Sequence, residues 1–238
     1  FLYAGACFNI DRHSAIRRSS TMTRLFSLLV FLTIIVAAFL YLKPAGDYSS
    51  ENISGLPWQI ELLPEGTSRV FGITLAQSTL GEARELLGDD MELAVIVVAP
   101  DDSGLEMFYS HYTAGVFSGK LILAADVAPD TLKQWLDRAV SAEYLESGAR
   151  KFHLNADDRL LAYQATVKNI TFIPAIALDE QTALKHFGTP AETIRRSDQA
   201  THLLSPDKGL DLTINKHGKD VLQYVAPRGF AQLRDPLR

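Results

Sequence analysis

The amino-acid sequence predicts an α+β protein in which an N-terminal transmembrane helix precedes two similar units, each a short helix followed by an antiparallel meander. Three observations predict it: an uncharged apolar run at 25–42, two short amphipathic stretches closed by Gly88 and Gly188, and strand-like segments separated by turn residues after each of them. Of the 238 residues, 47% are hydrophobic and 21% are charged, the balance of a folded chain rather than a disordered one.

The run LFSLLVFLTIIVAAFLYL at 25–42 has Ser27 and Thr33 as its only polar residues. As a helix it rises about 27 Å, close to the roughly 30 Å hydrocarbon core of a bilayer. Arg12, Arg17, Arg18 and Arg24 precede it and only Lys43 directly follows, so the positive-inside rule places residues 1–24 in the cytoplasm. The expectation is a single-pass protein of the bacterial inner membrane, held by a signal anchor with its C-terminal body in the periplasm. A cleaved signal peptide is the alternative, for which Val36-Ala37-Ala38 is a poor small-x-small site. Residues 1–21 read as a start-site artefact, because Met22-Thr23-Arg24 would make a conventional start, and Cys7, the only cysteine, falls within them. The exported part then holds no disulfide. Residues 43–57, KPAGDYSSENISGLP, are the predicted linker.

The first unit spans 58–150. It opens with a strand at Trp58–Leu63, followed by a helix over Thr74–Leu87 whose Leu75, Leu80, Ala83, Leu86 and Leu87 share one face and which Gly88 ends. Strands are expected at Met91–Val98, Leu105–Tyr112 and Val116–Val127. The apolar run Leu93–Val98 marks a central strand covered on both faces. Pro129 starts a second helix, whose Leu132, Trp135, Leu136, Ala139, Val140 and Glu143/Tyr144 recur at three and four up to Gly148.

The second unit spans 151–238. Lys151–Leu154 reads as a short strand, Asp157–Gln164 as a helix and Val167–Ile173 as a strand stopped by Pro174. A helix over Leu178–Phe187 ends at Gly188, and strands follow at Glu192–Ser197, Thr201–Leu204, Leu210–Ile214 and Val221–Val225. Lys216-His217-Gly218-Lys219 is a tight hairpin. Placing Leu87-Gly88 over Phe187-Gly188 aligns two copies of one pattern about a hundred residues apart, which reads as an internal duplication.

The segments LDEQTALKHFGTPAETI, THLLSPDKGLDLTI and KDVLQYVAP, within residues 175–227, resemble the small lipoprotein subunit of the outer-membrane barrel-assembly machine and related β-lactamase-inhibitor-like modules. In those a helix ends in a Gly-x-Pro turn, as at Gly188-Thr189-Pro190, and a meander follows. The resemblance implies a non-enzymatic interaction module of the cell envelope. This chain departs from the pattern in having no cysteine after the apolar run and in carrying Ser205 where an aromatic residue is often found.

Charge and motifs narrow the function further. Residues 1–24 carry four arginines against Asp11, or +3, so the net charge of −5 leaves −8 for the rest. An acidic body without a basic stripe argues against nucleic-acid binding. No Walker loop, dinucleotide glycine fingerprint, HExxH pair or GxSxG elbow occurs. Ser205-Pro206-Asp207-Lys208 matches S-x-x-K, but its Pro, Asp and following Gly209 spell a turn. The six histidines are scattered singly with no metal-ligand spacing, so no metal or cofactor is expected.

The acidic pairs Asp89-Asp90, Asp101-Asp102 and Asp157-Asp158 sit at turns or helix starts, where carboxylates cap free amides. His186 reads as a favourable cation at a helix C-terminus. The candidate ligand or partner surface is Tyr109, His111 and Tyr112, on an aromatic strand where simple alternation sets Met107, Tyr109 and His111 on one side and Phe108, Ser110 and Tyr112 on the other. The expectation is therefore a membrane-anchored envelope protein that binds a protein or ligand without catalysis, with an envelope protein as partner. An exported hydrolase or transferase is the alternative, its catalytic residues unassigned.

Overall fold

The computed structural model describes residues 55–100, 102–115, 117–196 and 199–238. Their first strands, β1 (Glu61–Leu63), β2 (Thr67–Val70) and β3 (Ile73–Thr74), form a small antiparallel sheet. Val70 pairs with Ile73 across a two-residue turn, Phe71-Gly72, whose φ angles are 53° and 78°. That tight hairpin requires φ above zero at both central positions, which glycine meets freely and phenylalanine only at a cost. The cost is offset by packing, because the Phe71 ring meets Tyr112, Phe172 and Tyr224 at 5.5, 5.6 and 5.7 Å.

The helix α1 (Leu80–Leu87) begins later than its apolar spacing predicts. Thr79 and Glu82 form a reciprocal capping box that satisfies the first free amides, and Thr74 is used instead in β3. Gly88 closes it at φ 98°. The chain continues through β4 (Glu92–Ala99), β5 (Asp102–Ala114) and β6 (Phe117–Asp126), then α2 (Pro129–Asp137), β7 (Ser141–Tyr144), β8 (Arg150–His153), α3 (Ala156–Ala162) and β9 (Thr166–Pro174). It ends with α4 (Glu180–Phe187), β10 (Glu192–Arg195), β11 (Ala200–Ser205), β12 (Leu210–Asn215), β13 (Val221–Val225) and α5 (Ala231–Arg234).

All strands from β4 onward belong to one ten-stranded antiparallel sheet, in the order β10-β11-β12-β13-β9-β6-β5-β4-β8-β7. This corrects the predicted fold of two α+β units behind a transmembrane helix. The described residues are mostly β, and β9 pairs with β13 on one side and β6 on the other, fusing the two meanders into one sheet. The second predicted helix is also shortened. It stops at Asp137, and Ser141–Tyr144 becomes edge strand β7, where Glu143 opposes Lys151 and Tyr144 opposes Arg150.

The expectations of a membrane protein, a transmembrane helix, a signal anchor and a single-pass inner-membrane location are corrected as well. No helix among the described residues is long and apolar enough to cross a membrane. The longest, α2, has nine residues and rises about 14 Å, half of a hydrocarbon core. The run predicted to span, 25–42, lies outside the described residues, as do 1–24 and most of the linker.

The sheet has two unlike faces. Its inner face, with Val95, Leu105, Met107, Leu121, Leu123, Ile170, Phe172, Leu212 and Leu222, packs in one cluster with residues from α1 to α4 and the small sheet. On the outer face, α5 and the turns flanking it cover only the β10–β13 half: Phe230 packs with Leu204 and Val225, joined by Ile194, Leu233 and Leu237.

Candidate functional site

The three residues expected at a ligand surface are not one surface. Tyr109 is buried, and its hydroxyl donates to the Gly88 carbonyl at 3.0 Å. Burial, with Asp89 nearby, pushes its pKa up to about 12. Tyr112 packs edge-on against Phe71 and Phe172, and burial raises its pKa too. His111 is exposed on the opposite face, 3.3 Å from the Ser110 hydroxyl.

The cause is a bulge. Tyr109 opposes Leu121 and Tyr112 opposes Gly119, so β5 advances three residues while β6 advances two. The extra residue reverses the alternation. Tyr109 and Tyr112 then both face the core, and Ser110 and His111 both face outward. Simple alternation predicted the reverse for His111 and Tyr112.

Around His111 the outer face of β4, β5, β6 and β9 is left uncovered by the described residues and carries two adjoining hollows. The first, about 370 Å³, is lined by Ser110, His111, Ser118, Lys120, Ile173 and Lys219 among others. The second, about 290 Å³, is lined by Ala94, Ile96, Phe108, Ile122 and Leu145, with Glu92, Glu106 and Lys151. Lys120 joins them, its ammonium 6.0 Å from the centre of the Phe108 ring. Strand register sets this strip: Glu92, Phe108, Ile122, Thr171 and Gln223 lie in one row across the sheet, and Ala94, Glu106, Ala124 and Asn169 in the next.

The charges along the strip differ in kind. Lys151 is held between Glu92 at 2.8 Å and Glu143 at 2.6 Å, which raises its pKa and lowers that of Glu143. Lys219 donates to the Ala175 carbonyl at 3.1 Å and has no carboxylate partner among the described residues, nor has Lys120. Glu106 sits between Ala94 and Ala124, and loss of water holds its carboxyl above the ordinary carboxylate range.

A second polar cluster lies on β11 and β12. His202 Nδ1 stands 2.9 Å from Asp211 Oδ2 and 3.0 Å from Thr213 Oγ1. Burial raises the Asp211 pKa and the His202 contact opposes that rise. Carboxylate and hydroxyl both address the same ring nitrogen, so the imidazole cannot pass a proton from Thr213 as a nucleophile relay requires, with base and orienting group on opposite nitrogens. The cluster satisfies a buried aspartate.

The remaining motifs are structural. Ser205 to Gly209 is the β11–β12 turn, and Lys208 Nζ donates to the Phe187 carbonyl at the end of α4 rather than to Ser205. Asp158 is buried, held by the Arg138 guanidinium and the Asn155 amide at 2.6 and 2.7 Å. Asp89 pairs with Arg84 beyond the end of α1. His186 stacks on Trp58 with ring centres 4.0 Å apart. No group of three or more metal-ligating side chains occurs among the described residues.

Sequence reasoning placed Phe108 on the aromatic strand and missed Glu106, Lys120, Ile122 and Lys219. For Lys120 and Ile122 the signal was the outward alternation Ser118-Lys120-Ile122-Ala124, which becomes a surface only beside β9, about fifty residues away in the chain. Compared with protein-family models, curated proteins and solved structures, the chain matches none.

Proposed function

We propose that the protein is a non-catalytic binding module that receives a ligand on the outer face of β4, β5, β6 and β9, which the described residues leave uncovered. One observation carries this reading. The inner face is sealed by helices and the other half of the outer face by the C-terminal segment, while Ile96, Phe108 and Ile122 are only half-buried along two adjoining hollows. Concave, mainly apolar hollows with a few polar groups are the usual form of a small-ligand site. The resemblance of residues 175–227 to interaction modules points the same way. The hydrolase or transferase alternative draws no support from the His202 cluster, whose partners share one nitrogen.

The test is a titration of the full chain with 1-octanol, an uncharged alkyl probe, followed by methyl NMR. The expected result is saturable shifts at Ala94, Ile96, Ile122 and Ile173, with Leu212 and Leu222 in the core unmoved, and loss of those shifts in Phe108→Ser. Shifts confined to other parts of the molecule, or none, would overturn the reading.

A further inference from the structure

We infer that the ligand of this face is a free medium-chain aliphatic carboxylate, its head at Lys120 and Lys219 and its chain along Ile122 and Phe108. The inference rests on the reading of the uncovered strip as the binding face and adds the chemical class of what binds there.

The two hollows are both largely apolar and differ in charge, the first holding two lysines and no carboxylate, the second two carboxylates beside one lysine. The first gathers donors: the ammonium groups of Lys120 and Lys219, the hydroxyls of Ser110 and Ser118, and the ring of His111, with no carboxylate among its lining residues. Lys120 and Lys219 have no counter-charge among the described residues, so a carboxylate arriving there meets two cations not already paired. The second hollow is walled by Ala94, Ile96, Phe108, Ile122 and Leu145, with Glu92, Glu106 and Lys151 at its edges. Phe108 and Ile122 are half-buried there and Glu106 lies between Ala94 and Ala124, apolar surface that an aliphatic chain would cover.

Dimensions agree with one chain. From Lys120 on β6 over Phe108 on β5 to Glu92 on β4 is two strand spacings across and two residues along, about 12 Å. The second hollow, about 290 Å³, is smaller than the usual drug-sized pocket. The other carboxylates of the strip do not oppose the head. Glu92 is tied to Lys151 and lies at the chain end, and Glu106 belongs to the row beyond Phe108 and Ile122, away from Lys120.

The experiment is isothermal titration of the full chain with decanoate below its micelle concentration, beside decylammonium, 1-octanol and anionic phospholipid vesicles. Decanoate is expected to bind with one site per chain and at least tenfold more tightly than decylammonium. Affinity should rise about fourfold per methylene from hexanoate to octanoate, the increment of burying one such group. Lys120→Glu combined with Lys219→Glu should weaken decanoate at least tenfold while leaving 1-octanol within twofold, and Phe108→Ser should weaken both.

If 1-octanol binds the strip but decanoate is no tighter than decylammonium, the carboxylate assignment fails and the binding face stands. If neither binds, both fail. Vesicle binding without decanoate binding overturns the free-ligand assignment.

Discussion

Glu106 shows how a single side chain reports its surroundings. Its cross-strand neighbours Ala94 and Ala124 offer no hydrogen-bond donor from their side chains, and loss of water raises its pKa above the ordinary 4.5. The raised value fixes the sign of its effect on stability. Below about pH 4.5 the carboxyl is protonated in both folded and unfolded chains and costs nothing. As pH rises, the unfolded chain ionises first, so the folded state loses stability until its own carboxyl has titrated. Glu106→Gln removes that loss. The variant should match the parent near pH 4 and exceed it by about 1 kcal/mol at pH 7, the scale of relieving a partly buried charge. Urea unfolding at the two pH values measures this, and an equal difference at both would show that the carboxylate is solvated or paired after all.

At the scale of elements, the β5 bulge decides which side chains meet a ligand. It holds one residue more than the facing segment of β6, and it keeps Tyr112 on the aromatic cluster of Phe71 and Phe172 while turning His111 outward. Deleting His111 should therefore be tolerated, because regular alternation from Tyr109 in to Ser110 out to Tyr112 in preserves every later face. Deleting Thr113, in the regular ladder beyond the bulge, should bring Ala114 to the outer face and cost more. The expected order in urea unfolding is a loss of about 1 kcal/mol for the first deletion and at least twice that for the second. Equal losses would mean that the bulge is not what sets the faces.

The same comparison explains how much was legible in the sequence. Short helices ending at Gly88 and Gly188, and most strands of the two meanders, follow from local spacing and turn residues. The helical spacing of Leu136, Ala139, Val140 and Glu143 concealed β7, which exists because β8 offers it a partner. The partners of β9 lie roughly fifty residues away on either side, beyond the reach of periodicity. The site suffered for the same reason. An aromatic strand was visible, but the bulge that sorts its residues, and the lysine strand that completes the face, are products of pairing.

For the molecule as a whole, the unlike treatment of the two halves of the outer face is the central fact. A sheet face with half-buried apolar side chains must be covered by the chain itself or by something else. Over β10 to β13 the chain supplies the cover through Phe230, Leu233 and Leu237, and this small cluster is separate from the main core. Removing the cover should thus be costly locally and silent at the proposed site. Phe230 is 4% exposed, and Phe230→Ala should cost about 3 kcal/mol, as for other buried aromatic truncations. Amide hydrogen exchange should quicken at Leu204 and Val225 far more than at Leu121 and Leu123, since regions open in separate cooperative units. Decanoate affinity should stay within twofold of the parent. Equal quickening across the sheet, together with weakened decanoate binding, would instead mean that both halves of the outer face open as one unit and that the C-terminal cover supports the site.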